Sequence, residues 1–287
     1  MQRRKFFPVL ASTALAAQRP SATRVARKGR LRQSCFDRNF GGGMPLNDMC
    51  REAARLGAVG FDGVALANWP TLAKFGLIPT LARGGGITIE GGIIRKQLQS
   101  EQVKSMEDFI DACAGHGCPN ILIPGGQRNG MSYAEGADNA VAFFNRVKSR
   151  AEEKGVTFCL EVMNTKYQDP KLGRSDQICN RLSWAGEVCT RVNSPRVKIL
   201  FDIYHVQITD GDIVANIRTY FPLIGHFHTG GVPGRHELDE TQELNYDFIF
   251  GTIADLGYAG YVAHEYDPTS GRDPIRSLEK VFAITDV

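Results

Sequence analysis

From Leu31 onward, short apolar stretches alternate with longer amphipathic ones. The short stretches are rich in β-branched and aromatic residues and several lack a polar face, which is typical of strands buried in a parallel sheet. On this pattern eight strands are predicted, over residues 31–36, 60–66, 86–92, 120–126, 157–164, 198–205, 224–231 and 261–267.

The longer stretches repeat apolar residues at helical spacing and carry residues that begin or end helices. Asn47 or Asp48 is a candidate N-cap, and Gly57 and Gly257 follow the last apolar positions of their segments. Helices are predicted over residues 45–57, 100–117, 132–155, 183–193 and 245–257.

Strands that alternate with helices over about 255 residues indicate parallel βαβ units. Eight such units favour a single (β/α)8 TIM barrel, and no GxGxxG motif follows the first strand to indicate an open, dinucleotide-binding sheet. No internal repeat or linker is visible. Residues 31–287 are therefore predicted to form one barrel domain.

The N-terminal segment, residues 1–30, is set apart by its composition. Arg3, Arg4 and Lys5 precede a short apolar run that ends in small residues, which resembles a twin-arginine export signal. An arginine-rich segment without acidic residues also fits an organellar transit peptide. The segment predicts export to the periplasm, with an organellar or cytoplasmic location as the alternative.

The net charge of +3 hides an uneven distribution. Nine of the 34 basic residues, and none of the 31 acidic ones, lie within residues 1–32, so the remainder has a net charge of −6. Because the excess positive charge lies in the tail and not on a predicted folded face, nucleic acid is excluded as a partner. No apolar run of 18 residues follows the N-terminus, so no membrane span is predicted. The seven cysteines form no CxxC pair and are predicted to be buried free thiols.

Titratable residues mark the ends of the last four predicted strands. Reactive groups of a TIM barrel project from the carboxyl ends of its strands. Residues at these ends are Glu161 and Asn164, Asp202 and His205, His226 and His228, and His264 and Glu265. Because side chains alternate along a strand, His226 and His228 share one face, and both point into the barrel if Phe227 packs against the helices.

Glu161, Asp202, His228 and Glu265 come from four successive strands and are predicted to converge. Three buried carboxylates would repel one another strongly without a cation, whereas three carboxylates and an imidazole suit a hard divalent ion. His226 is then a supporting or core histidine. Arg235, in the glycine-rich loop that follows, can reach an anionic or hydroxylated substrate. Trp69, after the second strand, is either a wall of the active site or a packing residue.

Four segments together resemble the hydroxypyruvate isomerase family, within the xylose-isomerase-like barrels that also contain ketose epimerases. They are "CLEVMNTK", "FDIYHVQITDGDI", "GHFHTGGVPGRHELDETQELNY" and "EYDP". The second histidine of "GHFH" is more similar to the ketose epimerases, and the "VPGRHE" loop to the hydroxypyruvate isomerases. The resemblance covers residues 31–287 and implies a barrel that holds Mg²⁺ or Mn²⁺.

The resemblance also implies roles for individual residues. Glu161, Asp202, His228 and Glu265 match the metal ligands, and the two glutamates match the pair that moves the substrate proton. His205 matches a substrate-contacting histidine, and Arg235 falls where an arginine binds substrate. The family is compatible with a homo-oligomer such as a dimer or a tetramer.

The leading hypothesis is a metal-dependent isomerase that acts on a small hydroxy-carbonyl compound through an enediolate. A ketose epimerase would use both glutamates on opposite faces of one carbon. A third alternative is a non-catalytic sugar-binding barrel. A zinc-cluster nuclease is disfavoured, because it needs more histidines and because the body of the chain is acidic.

Overall fold

The computed structural model describes residues 24–166, 168–169 and 173–287. Its main sheet has eight parallel strands in the order β3-β2-β1-β8-β7-β6-β5-β4. These are β1 (Arg32–Cys35), β2 (Gly60–Asp62), β3 (Ile78–Leu81), β4 (Asn120–Pro124), β5 (Thr157–Glu161), β6 (Val197–Asp202), β7 (Ile224–Thr229) and β8 (Tyr261–His264).

Ala82 joins the two ends of this sheet. Its N–H donates to the Asn120 carbonyl at 2.9 Å, and its carbonyl accepts from the N–H of Leu122 at 2.9 Å. The strands therefore form a TIM barrel, as predicted.

Helices surround the sheet. Within the described residues they are α1 (Leu46–Leu56), α2 (Trp69–Ala73), α3 (Lys96–Gly115), α4 (Tyr133–Lys154), α5 (Leu182–Val192), α6 (Ile203–Thr209), α7 (Ile213–Tyr220), α8 (Tyr246–Asp255) and α9 (Pro274–Ile284). None of these helices is long and apolar enough to cross a membrane.

Strand alternation divides the apolar residues between two cores. Outward residues such as Ile121, Phe158 and Phe227 belong to the large core between strands and helices. Inward residues form a small cluster of Leu81, Leu122, Cys159 and Leu200 inside the barrel. Because Phe227 packs outward, its neighbours His226 and His228 point inward. This is the orientation that was predicted for the case in which Phe227 packs against the helices.

The predicted third strand, residues 86–92, is wrong. This segment is a series of turns, with positive φ angles at Gly86 and Gly92, and β3 lies earlier at Ile78–Leu81. A Cβ on Gly92 would lie 1.9 Å from the Gly125 carbonyl oxygen, so the glycines here allow close backbone contact. Ile87 and Ile89 alternate with polar residues as in a strand, which led to the wrong prediction. The actual strand contains Pro79, and proline is rare inside strands.

The predicted sixth strand, residues 198–205, is too long. The strand ends at Asp202, and α6 begins at the next residue. The Asp202 side chain accepts a hydrogen bond from the backbone N–H of His205 at 3.2 Å, which caps this helix. Helices α2, α6, α7 and α9 were not predicted.

The predicted export signal falls mainly on residues 1–23, which lie outside the described residues. The backbone N–H of Val25 donates a hydrogen bond to the Arg55 carbonyl at 2.7 Å.

The seven cysteines are all buried and free, as predicted.

Candidate active site at the carboxyl ends of the strands

Four buried side chains meet at the carboxyl end of the barrel. Glu161, Asp202 and His228 lie at the ends of β5, β6 and β7, and Glu265 directly follows β8. One ligand atom from each of the four lies within 4.8 Å of the other three. The structure thus brings together the four residues that were predicted as metal ligands.

The donor atoms of this cluster suit a divalent cation. His228 Nδ1 lies 2.7 Å from Glu265 Oε2 and 3.8 Å from Glu161 Oε1. Nδ1 is buried and has no hydrogen-bond partner with acceptable geometry among the described residues, and Oε2 is buried beside the Arg235 guanidinium, 2.7 Å from its Nη2. Buried polar atoms without partners are costly, and a hard cation with oxygen and imidazole ligands would satisfy them. Glu161, Asp202, His228 and Glu265 are therefore the residues that could hold it.

Asp62, at the end of β2, fixes the orientation of His228. Its Oδ2 atom lies 3.0 Å from His228 Nε2 and 2.7 Å from His226 Nε2. Because a carboxylate accepts, each histidine presents an Nε2–H to it, which leaves His228 Nδ1 facing the glutamates. Burial alone would raise the pKa of Asp62, but the charges and hydrogen bonds of the histidines hold that pKa well below its usual value.

Asp62 was missed in the sequence because the second strand was predicted to continue to residue 66, whereas β2 ends at Asp62. Asp62, His226 and His228 also lie close enough to form a three-ligand group. Their separations are those of ordinary hydrogen bonds, and Asp62 accepts further hydrogen bonds from Ser34 and Thr80. This carboxylate is therefore already satisfied by the protein.

His205 is a neutral hydrogen-bond donor. Its Nδ1 atom accepts from the backbone N–H of Asn164 at 3.1 Å and contacts the side-chain nitrogen of Asn164 at 2.7 Å. The ring proton therefore lies on Nε2, which is buried 3.6 Å from Asp202 Oδ2 and for which the described residues offer no hydrogen-bond partner. Burial, reinforced by the charge of Arg235, lowers the pKa of His205 to about 3.

Arg235 bridges two of the carboxylates. Its Nη2 atom lies 2.7 Å from both Asp202 Oδ2 and Glu265 Oε2, and its Nε–H donates to the Glu265 carbonyl at 3.1 Å. The backbone at Arg235 adopts a φ angle of 59°, which is strained for a residue with a side chain. The arginine is thus held in place by several contacts at some conformational cost.

The pKa values of two neighbouring carboxyls, Glu265 and Asp202, are shifted in opposite directions. Burial alone would raise the pKa of Glu265, but the charges of Arg235 and His228 hold it well below the usual value. Burial dominates at Asp202 and raises its pKa. For His228, burial would lower the pKa, but the Glu265 charge and the hydrogen bond to Asp62 raise it well above 6.5. Glu265 is consequently ionised at neutral pH.

A cavity of about 210 Å³ opens beside this cluster. Both charged and apolar side chains line it. It is lined by Arg38, Arg83, Gly84, Ile87, Ile89, Leu122, Pro124, Glu161, Met163, His205, Arg235 and Glu265. Among the predicted site residues, Glu161, His205, Arg235 and Glu265 contribute directly to its wall, and Asn164 acts behind His205.

Trp69 is a packing residue and does not line this cavity. Only 3% of its surface is exposed, and its indole N–H donates to the Val64 carbonyl at 2.9 Å. Its ring packs against Phe109 and His116. Of the two alternatives that the sequence left open for Trp69, a wall of the active site or a packing residue, this geometry favours the packing residue.

The chain matches the Xylose isomerase-like TIM barrel family over residues 54–281 and belongs to that family. A human protein named "Putative hydroxypyruvate isomerase" is 26% identical over 233 residues, which cover 74% of this chain and 81% of that protein. The 2-oxo-tetronate isomerase of Cupriavidus necator is 36% identical over 121 residues, or 42% of this chain and 44% of that protein. The first matches, in zebrafish and Xenopus laevis, span about half the length of those relatives.

Solved structures show the same fold at lower identity. The AP endonuclease, family 2, from Brucella melitensis has a TM-score of 0.74 at 23% identity, covering 86% of this chain and 96% of that one. The D-psicose 3-epimerase of Clostridium cellulolyticum H10 has a TM-score of 0.69 at 19% identity, covering 89% and 98%. At these identities the likeness concerns the fold alone.

Proposed function

We propose that this protein is a divalent-metal-dependent isomerase of a small hydroxy-carbonyl compound, similar to hydroxypyruvate or tartronate semialdehyde. The convergence of Glu161, Asp202, His228 and Glu265 beside a cavity is the observation that carries the proposal. Relatives named as isomerases of hydroxypyruvate and of 2-oxo-tetronate support it. The cation is Mg²⁺ or Mn²⁺, in keeping with a ligand set dominated by carboxylate oxygen.

The reaction moves one proton between adjacent carbons. When bound, the cation supplies a Lewis acid that polarises the carbonyl and acidifies the neighbouring C–H. Glu161 and Glu265 both line the cavity, so one takes the proton as a general base and the same group or its partner returns it to the other carbon. The low pKa of Glu265 keeps this carboxylate ready to accept a proton at neutral pH.

Two donors stand ready for the negative charge that develops on the enediolate oxygens. His205 presents Nε2–H, which has no hydrogen-bond partner among the described residues, and its low pKa keeps the ring uncharged at neutral pH. The Arg235 guanidinium lies at the same wall and remains charged. Because both are fixed before the reaction begins, they stabilise the charge without reorganisation.

Replacing Glu265 with Gln tests the proton transfer. The variant keeps the size of the side chain and removes its basicity, so turnover is expected to fall by about 100- to 10,000-fold. Solvent deuterium incorporated into hydroxypyruvate and its product, with saturating Mn²⁺, is the measurement. Asp111→Asn, which removes a carboxylate from an exposed ion pair with Arg150, is the matched control and is expected to behave like the unmodified protein. Near-normal exchange in Glu265→Gln would contradict the assigned role.

A ketose epimerase is the second candidate, favoured by the histidine at position 228, where the sequence is more similar to the ketose epimerases. In that reaction the two glutamates would serve opposite faces of one carbon. Product analysis separates the two, because an epimerase returns a ketose whereas an isomerase interconverts a ketone and an aldehyde. A non-catalytic sugar-binding barrel would catalyse neither and would have no use for three buried carboxylates.

A further inference from the structure

Two arginines at the cavity have no part in the reaction described above. Arg38 lies in a 3-10 turn, Asp37–Phe40, that follows β1, and Arg83 lies two residues beyond β3. Both line the cavity. We propose that Arg38 and Arg83 form the binding site for a substrate carboxylate, so that they select hydroxy-carbonyl acids over neutral ketoses. This inference rests on the proposed function.

The two guanidinium groups approach the same point. Arg38 Nη1 lies 3.9 Å and Arg83 Nη2 lies 3.4 Å from one oxygen, Oε1 of Glu265. Both groups also lie near the ring of Phe36, at 5.9 and 5.5 Å from its centroid. The positive charges of Arg38 and Arg83 therefore both lie near the Phe36 ring, and one nitrogen of each lies beside Glu265, the proton-transfer residue.

Neutralisation of Glu265 does not account for this pair. The other oxygen of Glu265 is already bound by Arg235 at 2.7 Å in a buried contact. The Arg38 and Arg83 side chains are 34% and 45% exposed, and ion pairs this long and this exposed add little stability. Arg38 reaches one other carboxylate, that of exposed Asp267, at 3.7 Å.

Most of the N–H groups of these arginines are unused. Among the described contacts, the Arg83 side chain makes one hydrogen bond, to Glu265 at 3.4 Å, and the Arg38 side chain makes only its two ion pairs. A guanidinium offers five N–H donors in a flat fork that matches a carboxylate. The pair therefore has donors to spare at the cavity wall.

The apolar part of the cavity lining restricts where an ionised group can bind. Ile87, Ile89, Leu122 and Met163 line the cavity and offer no side-chain hydrogen-bond donor. A substrate carboxylate would thus bind at an arginine. Because Arg235 already bridges Asp202 and Glu265, Arg38 and Arg83 are left to bind it, while the hydroxy-carbonyl end faces Glu161 and His205. A long neutral sugar would instead place several hydroxyl groups against an apolar wall, which costs free energy when they are left unpaired.

Hydroxypyruvate and dihydroxyacetone form a matched pair of probes. They share the hydroxy-ketone, and dihydroxyacetone has a hydroxymethyl group in place of the carboxylate. Calorimetry with Mn²⁺ present gives the affinity for each, and solvent deuterium exchange gives the turnover. We expect Arg38→Met and Arg83→Met each to weaken hydroxypyruvate binding by about 10- to 100-fold, the loss of one charge-assisted contact, and to leave dihydroxyacetone unchanged.

Two further variants sharpen the test. Arg83→Lys keeps the charge without the flat fork and should recover only part of the affinity for hydroxypyruvate. Arg128→Met is the matched control, since Arg128 also lies 3.4 Å from a carboxylate, that of Asp176, and over an aromatic ring, that of Tyr133, but away from the cavity. This control should leave both probes unaffected.

The possible outcomes separate this inference from the proposed function. An equal loss for both probes, or no loss for hydroxypyruvate, would overturn the carboxylate site. Arginine-dependent binding of hydroxypyruvate without any deuterium exchange would uphold the carboxylate site and refute the isomerase. Failure of the unmodified protein to bind hydroxypyruvate more tightly than dihydroxyacetone would also refute the carboxylate site.

Discussion

At the scale of single residues, the site depends on which nitrogen of His228 carries a proton. Asp62 accepts from Nε2 at 3.0 Å, so Nδ1 is the atom directed at the glutamates. The same carboxylate oxygen binds His226, which is fully buried and holds Asp62 from the other side. The pair of histidines one residue apart therefore has two functions, one in the ligand cluster and one in fixing the carboxylate that supports it.

Asp62→Asn tests this support. An amide oxygen is uncharged and is a weaker acceptor than a carboxylate oxygen, so the orientation and the protonation of His228 become less defined. We expect the affinity for Mn²⁺ to fall by about 10- to 100-fold, as for other residues that hold metal-bound histidines. The measurement is calorimetric titration with Mn²⁺, with Asp111→Asn as a control for removing a carboxylate. An unchanged affinity in Asp62→Asn, with the fold intact, would show that Asp62 is only structural.

The sequence identified some of these residues and missed others for a physical reason. Glu161, Asp202 and His228 belong to apolar strands, where a titratable side chain stands out and strand alternation gives its direction. Arg38 and Arg83 lie in irregular segments, where no periodicity indicates which way a side chain points. Their contribution depends on distances between β1, β3 and β8 that only the closed barrel defines.

At the scale of elements, the loop after β7 carries Arg235 and is anchored by two acidic residues. Glu237 accepts from the Thr269 N–H at 3.0 Å and from the Ser277 hydroxyl at 2.9 Å. Asp239 accepts from Arg272 Nη1 at 2.7 Å. The acidic part of "VPGRHELD" therefore ties the loop to the C-terminal segment, and this anchoring is a structural role that the resemblance alone does not reveal.

Glu237→Ala is expected to loosen this loop. The change leaves the partly buried donors of Thr269 and the buried hydroxyl of Ser277 without their acceptor, at a cost of about 1–3 kcal/mol in the free energy of unfolding. Amide hydrogen exchange over residues 231–244 should become faster, and turnover should fall because Arg235 is less well held. Glu240→Ala is the control, since Glu240 makes only an exposed ion pair with Lys280. Equal exchange rates in the two variants would contradict the anchoring role.

The same anchors give this loop a pH dependence of known sign. Burial alone would raise the pKa of Glu237 and of Asp239, but hydrogen bonds from Thr269 and Thr241 lower both. A carboxyl with a lowered pKa in the folded state adds stability above its unfolded value, which is about 4. That stability is present at neutral pH and is lost as the pH falls below about 4, so faster exchange in this loop should appear on acidification.

At the scale of the whole molecule, the count of eight strands indicated the barrel even though one strand was misplaced. Alternation of apolar strands and helices continued on both sides of the error, and a closed sheet of eight leaves no edge unpaired. Residues 78–81 and 86–92 are both candidates for the third strand. Residues 78–81 form it because they pair with Gly60 and Phe61 of β2. Such pairing joins residues distant in sequence, and local pattern does not contain it.

The barrel as a whole should become more stable when a cation binds, because the cluster joins four strand ends. A cation that binds only the native state at about 100 times its dissociation constant adds about 2.7 kcal/mol to the free energy of unfolding. For a domain of this size, that corresponds to a rise in Tm of roughly 5–10 °C. Thermal unfolding followed by circular dichroism, with Mn²⁺ or with a chelator, measures this rise.

Variants link that rise to the four ligands. Glu161→Gln should abolish most of it, because the amide lacks the charge that binds the cation, while Asp111→Asn should retain it. Removal of one carboxylate also relieves repulsion in the cation-free protein, so Glu161→Gln is expected to unfold at a similar or higher temperature than the unmodified chain when a chelator is present. If Mn²⁺ raises the Tm of both variants equally, the cation binds at another site. If Mn²⁺ does not raise the Tm of any of these proteins, the buried carboxylates are neutralised by Arg235 and His228 and not by a cation.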